Sequence, residues 1–150
     1  MRDDEWAGFV EGSKRGYVAS MVDHGGIAEH VAREKAEHDF ASLLPDRFAT
    51  EGQYVFAVED VDSGEVVGRV WFALRDINGE QGAFVYDIEI DDEQRGRGFG
   101  RAAMLALEDE VRALGLPRIA LNVFGGNEVA RGLYRSIGYV ETAVWMSKAI

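Results

Sequence analysis

The stretch Gln94-Arg95-Gly96-Arg97-Gly98-Phe99-Gly100-Arg101 decides how this chain reads. It follows an apolar run, Ala83 to Ile90, that has the length and composition of a buried strand. After it comes the most regular helical pattern in the sequence, with Met104, Leu107, Val111 and Leu114 at i, i+3, i+7 and i+10. Alternate glycines at 96, 98 and 100 let a ligand approach the backbone and permit positive φ. The first turn of the following helix leaves about four N–H groups unpaired. The helix dipole adds roughly half a positive charge there, and Arg95, Arg97 and Arg101 add three cations, so a diphosphate is the natural partner. The plainer alternative is a tight turn whose arginines pair with Asp91, Asp92 and Glu93, although such a turn needs one glycine rather than three. A dinucleotide fingerprint fails on spacing, because Arg101 and Ala103 stand where its third glycine belongs. No Gly-Lys-Ser or Gly-Lys-Thr follows, which excludes a Walker loop.

Upstream of this turn, Trp6, Phe9, Val10, Tyr17 and Met21 recur at helical spacing over Asp4 to Val22, weakened by Gly8, Gly12 and Gly16. His24-Gly25-Gly26 breaks the chain. Ile27 to Leu44 reads as a second helix with Val31, Ala36, Phe40 and Leu43 inward and Pro45 beyond its end. Gln53 to Glu59 and Glu65 to Leu74 read as a hairpin around Asp60-Val61-Asp62-Ser63-Gly64. Asn78-Gly79 marks the next turn, and Ala83 to Ile90 places Phe84, Tyr86, Ile88 and Ile90 on one face. Downstream, Gly115 and Pro117 end the long helix, Arg118 to Phe124 is a strand, Asn127 to Ile137 a helix and Tyr139 to Met146 a last strand. The order ααβββαβαβ describes a single α/β domain over residues 1–150 with a mixed sheet. Strands 83–90 and 118–124 are expected parallel and adjacent across a right-handed crossover.

Composition bounds the function. The chain has 150 residues, 47% hydrophobic and 29% charged, with two prolines, which fits a globular domain. No apolar run approaches the roughly 18 residues of a membrane span and no signal peptide opens the chain, so a cytoplasmic protein is expected, away from membranes. The absence of cysteine excludes thiolate metal sites and a cysteine nucleophile. A net charge of −11 repels nucleic acid and favours a cationic partner, although acidic surfaces also serve solubility. His30, Glu34 and His38 share a helix face, but no further ligand pattern accompanies them and no metal is expected.

Arg95-x-x-Gly98-x-Gly100 resembles the Gln/Arg-x-x-Gly-x-Gly/Ala signature of the GNAT acetyltransferase superfamily. Asn127-x-x-Ala130-x-x-Leu133-Tyr134-x-x-x-Gly138-Tyr139 is similar to that family's C-terminal segment. The resemblance covers about residues 53–148 and implies a splayed central strand pair, two N-terminal helices walling the acceptor site, and transfer of an acetyl group from acetyl-CoA directly to a primary amine. One departure is that the family's first strand is absent or abbreviated, which leaves room for a homodimer. By the same resemblance, the pantetheine arm enters the gap between strands 83–90 and 118–124. The backbone of Ile88, Glu89 and Ile90 lines it, with an amide near Ile90 polarising the thioester. Backbone amides from Arg95 through Gly96, Arg97, Gly98, Phe99 and Gly100 to Arg101 hold the diphosphate. Asn127 contacts the cofactor or orders a water, and it reads equally as the N-cap of the last helix.

Two residues are candidates for chemistry. Tyr134 follows Leu133 near the cofactor edge, and its phenol suits the protonation of a leaving thiolate of pKa about 8.5, a role worth about 10²–10⁴-fold. Its alternative is a ring in the core with the hydroxyl at the surface. Glu89 is the candidate base, expected on the strand face opposite Ile88 and Ile90, together with Asp87 and Val85. The alternative for these carboxylates is pairing with Arg69 or Arg75 on the neighbouring strand. From another class, a non-catalytic acyl-CoA binding or sensing module would keep the phosphate turn without an open acceptor site.

Overall fold

The computed structural model describes residues 2–150. Helix α1 spans Trp6–Asp23 and α2 spans Glu29–Leu43, close to the expected bounds. Among the described residues no strand precedes α1. In α2 the inward stripe is Ala32, Ala36 and Phe40, while Val31 is exposed rather than inward as expected. The i, i+4 spacing of those two alanines gives α1 a small-residue surface, against which Met21 packs.

Strands β1 (Gln53–Glu59) and β2 (Val66–Ile77) form the expected hairpin, and β3 (Glu80–Ile90) pairs antiparallel with β2. Both strands run further than the sequence pattern marks. Asn78 and Gly79 adopt φ of 59° and 87°, so a two-residue turn closes the ladder up to the pair Ile77↔Glu80. Helix α3 (Phe99–Ala113) then crosses over to β4 (Ile119–Leu121), which lies parallel to β3 in a sheet ordered β1-β2-β3-β4. Helix α4 (Glu128–Ser136) closes the fold.

Two aromatic-rich layers sandwich the sheet. Val70, Phe72, Ala83 and Val85 pack on Met104, Leu107 and Val111 of α3. On the other face Trp71 is buried against Phe9, Phe40 and Tyr86, whose rings lie 4.8–6.3 Å away, a geometry that adds to the area term.

The alternation read for Ala83 to Ile90 breaks at Tyr86. Trp71 pairs with Asp87 while Phe72 pairs with Val85, so Tyr86 is an extra residue, a β-bulge. Val85 and Ile88, three apart, therefore both pack in the α3 layer, and Tyr86 joins the Trp71 layer instead. The expected grouping of Phe84, Tyr86, Ile88 and Ile90 on one face, and of Val85 with Asp87 and Glu89, is corrected accordingly. A period of two holds only on an unbroken ladder.

The end of the chain also departs from its pattern. Only Ile119–Leu121 of the expected strand 118–124 is paired, because β3 parts from it after Val85↔Leu121. Residues 139–150, expected to begin with a strand at Tyr139 to Met146, form neither strand nor helix, and Val140, Val144, Trp145 and Met146 are exposed. Alternation gives a chain two faces but becomes a strand only when a ladder forms, and β4 pairs with β3 alone. No helix among the described residues is long and apolar enough to cross a membrane.

Candidate active site

Beyond Val85 the two parallel strands separate, and five residues of β3, Tyr86 to Ile90, continue past the last bonded pair. The bulge sets which backbone groups face the gap. Ala83 N–H donates across to Arg118 O at 2.9 Å, whereas Asp91 N–H donates the other way, to Val67 O on the β2 side, at 2.9 Å. Amides alternate along a strand, so those of Ile88 and Ile90 point into the gap. The notch is thus lined by unpaired backbone donors.

The glycine-rich turn lies at the mouth of this gap. Gly96 and Gly98 have φ of 74° and 89°, in the left-handed region that favours glycine, and Gly98 is the N-cap of α3. Ala102 N–H is the first to bond back, to Gly98 O at 3.0 Å, and no side chain caps the helix. The amides of Phe99, Gly100 and Arg101 are therefore free to meet an anion. The third glycine serves packing: a Cβ at Gly100 would touch Leu133 and Ile90 at 3.5 and 3.8 Å, ordinary contacts that an alanine also satisfies.

The three arginines of the turn are each engaged within the chain. Arg95 Nε donates to Ile90 O at 3.0 Å, and its Nη1 meets Asp92 at 2.8 Å. Arg97 bonds Gln94 and lies over the Phe99 ring, and Arg101 reaches Ser136 Oγ at 2.9 Å. Arg95 to Asp92 is the turn-pairing alternative realised, while the glycine conformations and the free amides remain as the phosphate reading requires.

On the α1 face of β3 the carboxylates form one network. Arg69 Nε lies 2.8 Å from Ser13 Oγ and 2.9 Å from Asp87 Oδ2, and its Nη2 binds Glu89. Ser13 Oγ donates to Asp87, and Arg95 approaches the other Glu89 oxygen at 3.6 Å. Pairing with Arg69 is thus the arrangement found, and Arg75 instead lies over Phe84. Burial pushes the Glu89 carboxyl above its ordinary range, with the nearby Asp87 charge adding to the rise; Arg69, Arg95 and Arg15 oppose it. Glu89 opens on a cavity of 500 Å³ lined also by Arg15, Arg69, Asp91, Asp92 and Glu93.

The sequence reading missed Ser13 and the reason for two glycines. A Cβ at Gly12 would come within 2.8 Å of Arg69 Nη1, and one at Gly16 would fall inside the Glu89 carboxylate. Glycines four apart on one helix face were the available signal, since they cost α1 helix propensity that only a close neighbour repays. We expect Gly16→Ala to lower the melting temperature, because the about 1 kcal/mol of helix propensity it adds is less than the cost of pushing the Glu89 carboxylate off Arg69, and to lower kcat about 10- to 100-fold as that carboxylate loses its position. Thermal melts and steady-state rates on the same preparation check this; unchanged kcat would remove Glu89 from the chemistry.

Asn127 caps α4 by accepting Ala130 N–H at 3.2 Å, the capping role realised. Tyr134 packs at the edge of the α3 layer beside Tyr139, with ring centroids 5.8 Å apart. Burial, helped by the Asp87 charge, pushes its phenol up to about 12, so it holds its proton across the physiological range. Ile88, Glu89, Ile90, the turn from Arg95 to Arg101, Asn127 and Tyr134 all line one continuous cleft, apart from Arg97. His30, Glu34 and His38 lie on the exposed face of α2, away from it.

Residues 26–139 match the acetyltransferase (GNAT) family, and the chain belongs to it. It is similar to two uncharacterised N-acetyltransferases of Bacillus subtilis, YycN (28% identical, covering 100% of this chain and 96% of the relative) and YdgE (29%, covering 100% and 95%). The crystal structure of YycN superposes with a TM-score of 0.91 over 100% of this chain and 95% of that one. A mycothiol acetyltransferase of Beutenbergia cavernae is 34% identical over 122 residues, 75% of this chain but 40% of the relative. The protein is an acetyltransferase with the mixed α/β fold of that family.

Proposed function

We propose that this acetyltransferase takes its acetyl group from acetyl-CoA and transfers it directly to the primary amine of a cationic small molecule or protein. The observation that carries the reading is the continuity of free donors, from the Ile88 and Ile90 amides in the strand gap to the Phe99, Gly100 and Arg101 amides at the start of α3. A strand-like arm ending in a diphosphate fits that track. When bound, acetyl-CoA supplies an acyl carbon activated by a thiol leaving group.

The chain's own residues do the rest. The Ile90 amide lies where it can hold the thioester oxygen as charge builds on it. Glu89 receives, directly or through a water, the proton that the amine loses as its nitrogen bonds to the acetyl carbon. Tyr134 gives its proton to the sulfur as the C–S bond breaks. An amine of pKa about 10.4 is neutral in only about one molecule in a few thousand at pH 7, so a local base matters. The acidic lining around Glu89 attracts a cationic acceptor from the α1 side.

Calorimetry with acetyl-CoA, followed by thiol release against a panel of amines, tests the reading. Heat of binding and amine-dependent turnover are expected; absence of heat with folded protein would sink the cofactor assignment. Glu89→Gln is expected to retain cofactor binding while losing the acidic limb of the kcat profile. Because burial raises this carboxyl, that limb lies above the ordinary glutamate range, and activity falls as pH drops through it.

A further inference from the structure

Helix α1 touches both sides of the strand gap. Ser13 Oγ donates to Asp87, and a Cβ at Gly16 would fall inside the Glu89 carboxylate, so the middle of α1 lies directly on β3. Its C-terminal end meets the other side. There the Phe124 ring, three residues past the last bonded position of β4, packs with Met21, Ala32 and Ala36, and a Cβ at Gly25 would come within 2.8 Å of Phe124 Cε1. Met21, Ala32 and Ala36 are all fully buried, so the ring is seated on close-packed side chains that do not give way.

These two contacts are further apart than paired strands would be. Continued one for one from Val85↔Leu121, the ladder would set Phe124 beside Ile88, next to Glu89. Neighbouring strands in a ladder lie about 4.8 Å apart. Gly16 and Met21, the α1 residues at the two contacts, stand five residues apart, which is about 8 Å along the helix axis. Strand β3 cannot yield to this spacing, because β2 pairs with it as far as Gly68↔Ile90. Strand β4 can, since only Ile119–Leu121 is paired.

We propose that α1 is a strut across the gap and that Phe124, seated on Met21 and Gly25, is a positioning residue that holds the end of β4 off β3 and so keeps the Ile88 and Ile90 amides open. Without it the strands are expected to close, because each free donor gains a partner by doing so. The bulge at Tyr86 sets which amides face the gap, and Phe124 keeps the gap wide enough for an arm to lie in it. Use of those amides by acetyl-CoA rests on the proposed function; the strut does not.

Amide hydrogen exchange on the full chain without cofactor tests the strut. In the wild type the Ile88 and Ile90 amides are expected to be protected at least about 10-fold less than those of Ala83 and Asp91, which donate to Arg118 O and Val67 O. In Phe124→Ala their protection is expected to rise toward that of the bonded amides as residues 122–124 close on β3. Calorimetry on the same variant is expected to show acetyl-CoA bound about 10- to 100-fold more weakly. Phe124→Leu, which keeps an apolar side chain in the seat, is expected to restore both. Gly25→Ala, which sets a methyl 2.8 Å from the ring and displaces it, is expected to reproduce the rise in protection and serves if Phe124→Ala does not fold. A phenylalanine that only packs would lower the melting temperature and leave the Ile88 and Ile90 amides unchanged. That result, or wild-type amides already as protected as Asp91, would overturn the strut. Exchange that responds as expected in a chain giving no heat with acetyl-CoA would instead sink the donor assignment and leave the strut in place.

Discussion

Tyr134→Phe is expected to lower kcat about 10²–10⁴-fold while leaving acetyl-CoA affinity within a few-fold, the range that one positioned acid contributes. The hydroxyl is the sole group removed, and the ring keeps its packing beside Tyr139. Because burial and the Asp87 charge raise the phenol to about 12, wild-type kcat has no alkaline limb from this residue below that pH. Stopped-assay thiol release at saturating amine between pH 7 and 10 measures both points. A variant that keeps half of wild-type turnover would assign Tyr134 to packing alone, and an alkaline limb near pH 9 would point to another acid.

The largest effect on stability is expected from Arg69→Met. The arginine joins Ser13, Asp87 and Glu89, and its side chain is 11% exposed. Methionine retains the apolar stem but leaves two carboxylates side by side. Removing one partner of a buried pair costs about 3–5 kcal/mol, and the low end applies because both carboxylates keep some access to water. At about 3 kcal/mol the melting temperature falls roughly 6–12 °C for a chain of this size. Losing Arg69 removes the strongest charge opposing the rise at Glu89, so the folded-state value of that carboxyl moves further above its unfolded one. The penalty is therefore absent at low pH and grows as pH rises through those values. The deficit is expected to shrink between pH 8 and pH 5; equal deficits at both would attribute the loss to packing.

The helices, the hairpin turns, the crossover and the glycine turn were legible because each rests on local chemistry. Asn78-Gly79 needs positive φ, and the α3 stripe needs a core. The glycine turn carries the positive φ values and free helix-start amides on which the proposed diphosphate contact rests. What escaped is what depends on partners distant in sequence. Tyr86 reads as one more alternating residue until β2 is laid beside it, since a bulge is a property of a pair of strands. Gly12 and Gly16 read as defects until Arg69 and Glu89 arrive from the sheet 53 or more residues later. Tyr139 to Met146 has the pattern of a strand, but no strand of the sheet pairs with it.

The extra residue at Tyr86 has a use for anyone altering this enzyme. It separates two stretches of one strand: Ala83 and Val85 are buried in the layer under α3, and beyond the bulge Asp87 and Glu89 lie against Arg69 while Ile88 returns to the α3 side. Substitutions at 87 or 89 therefore act on the Arg69 network rather than on the foundation laid by Ala83 and Val85. Deleting that single tyrosine would restore strict alternation between Val85 and Asp87, leaving Ile88 under α3 and the two carboxylates against Arg69, and would remove only the ring stacked on Trp71.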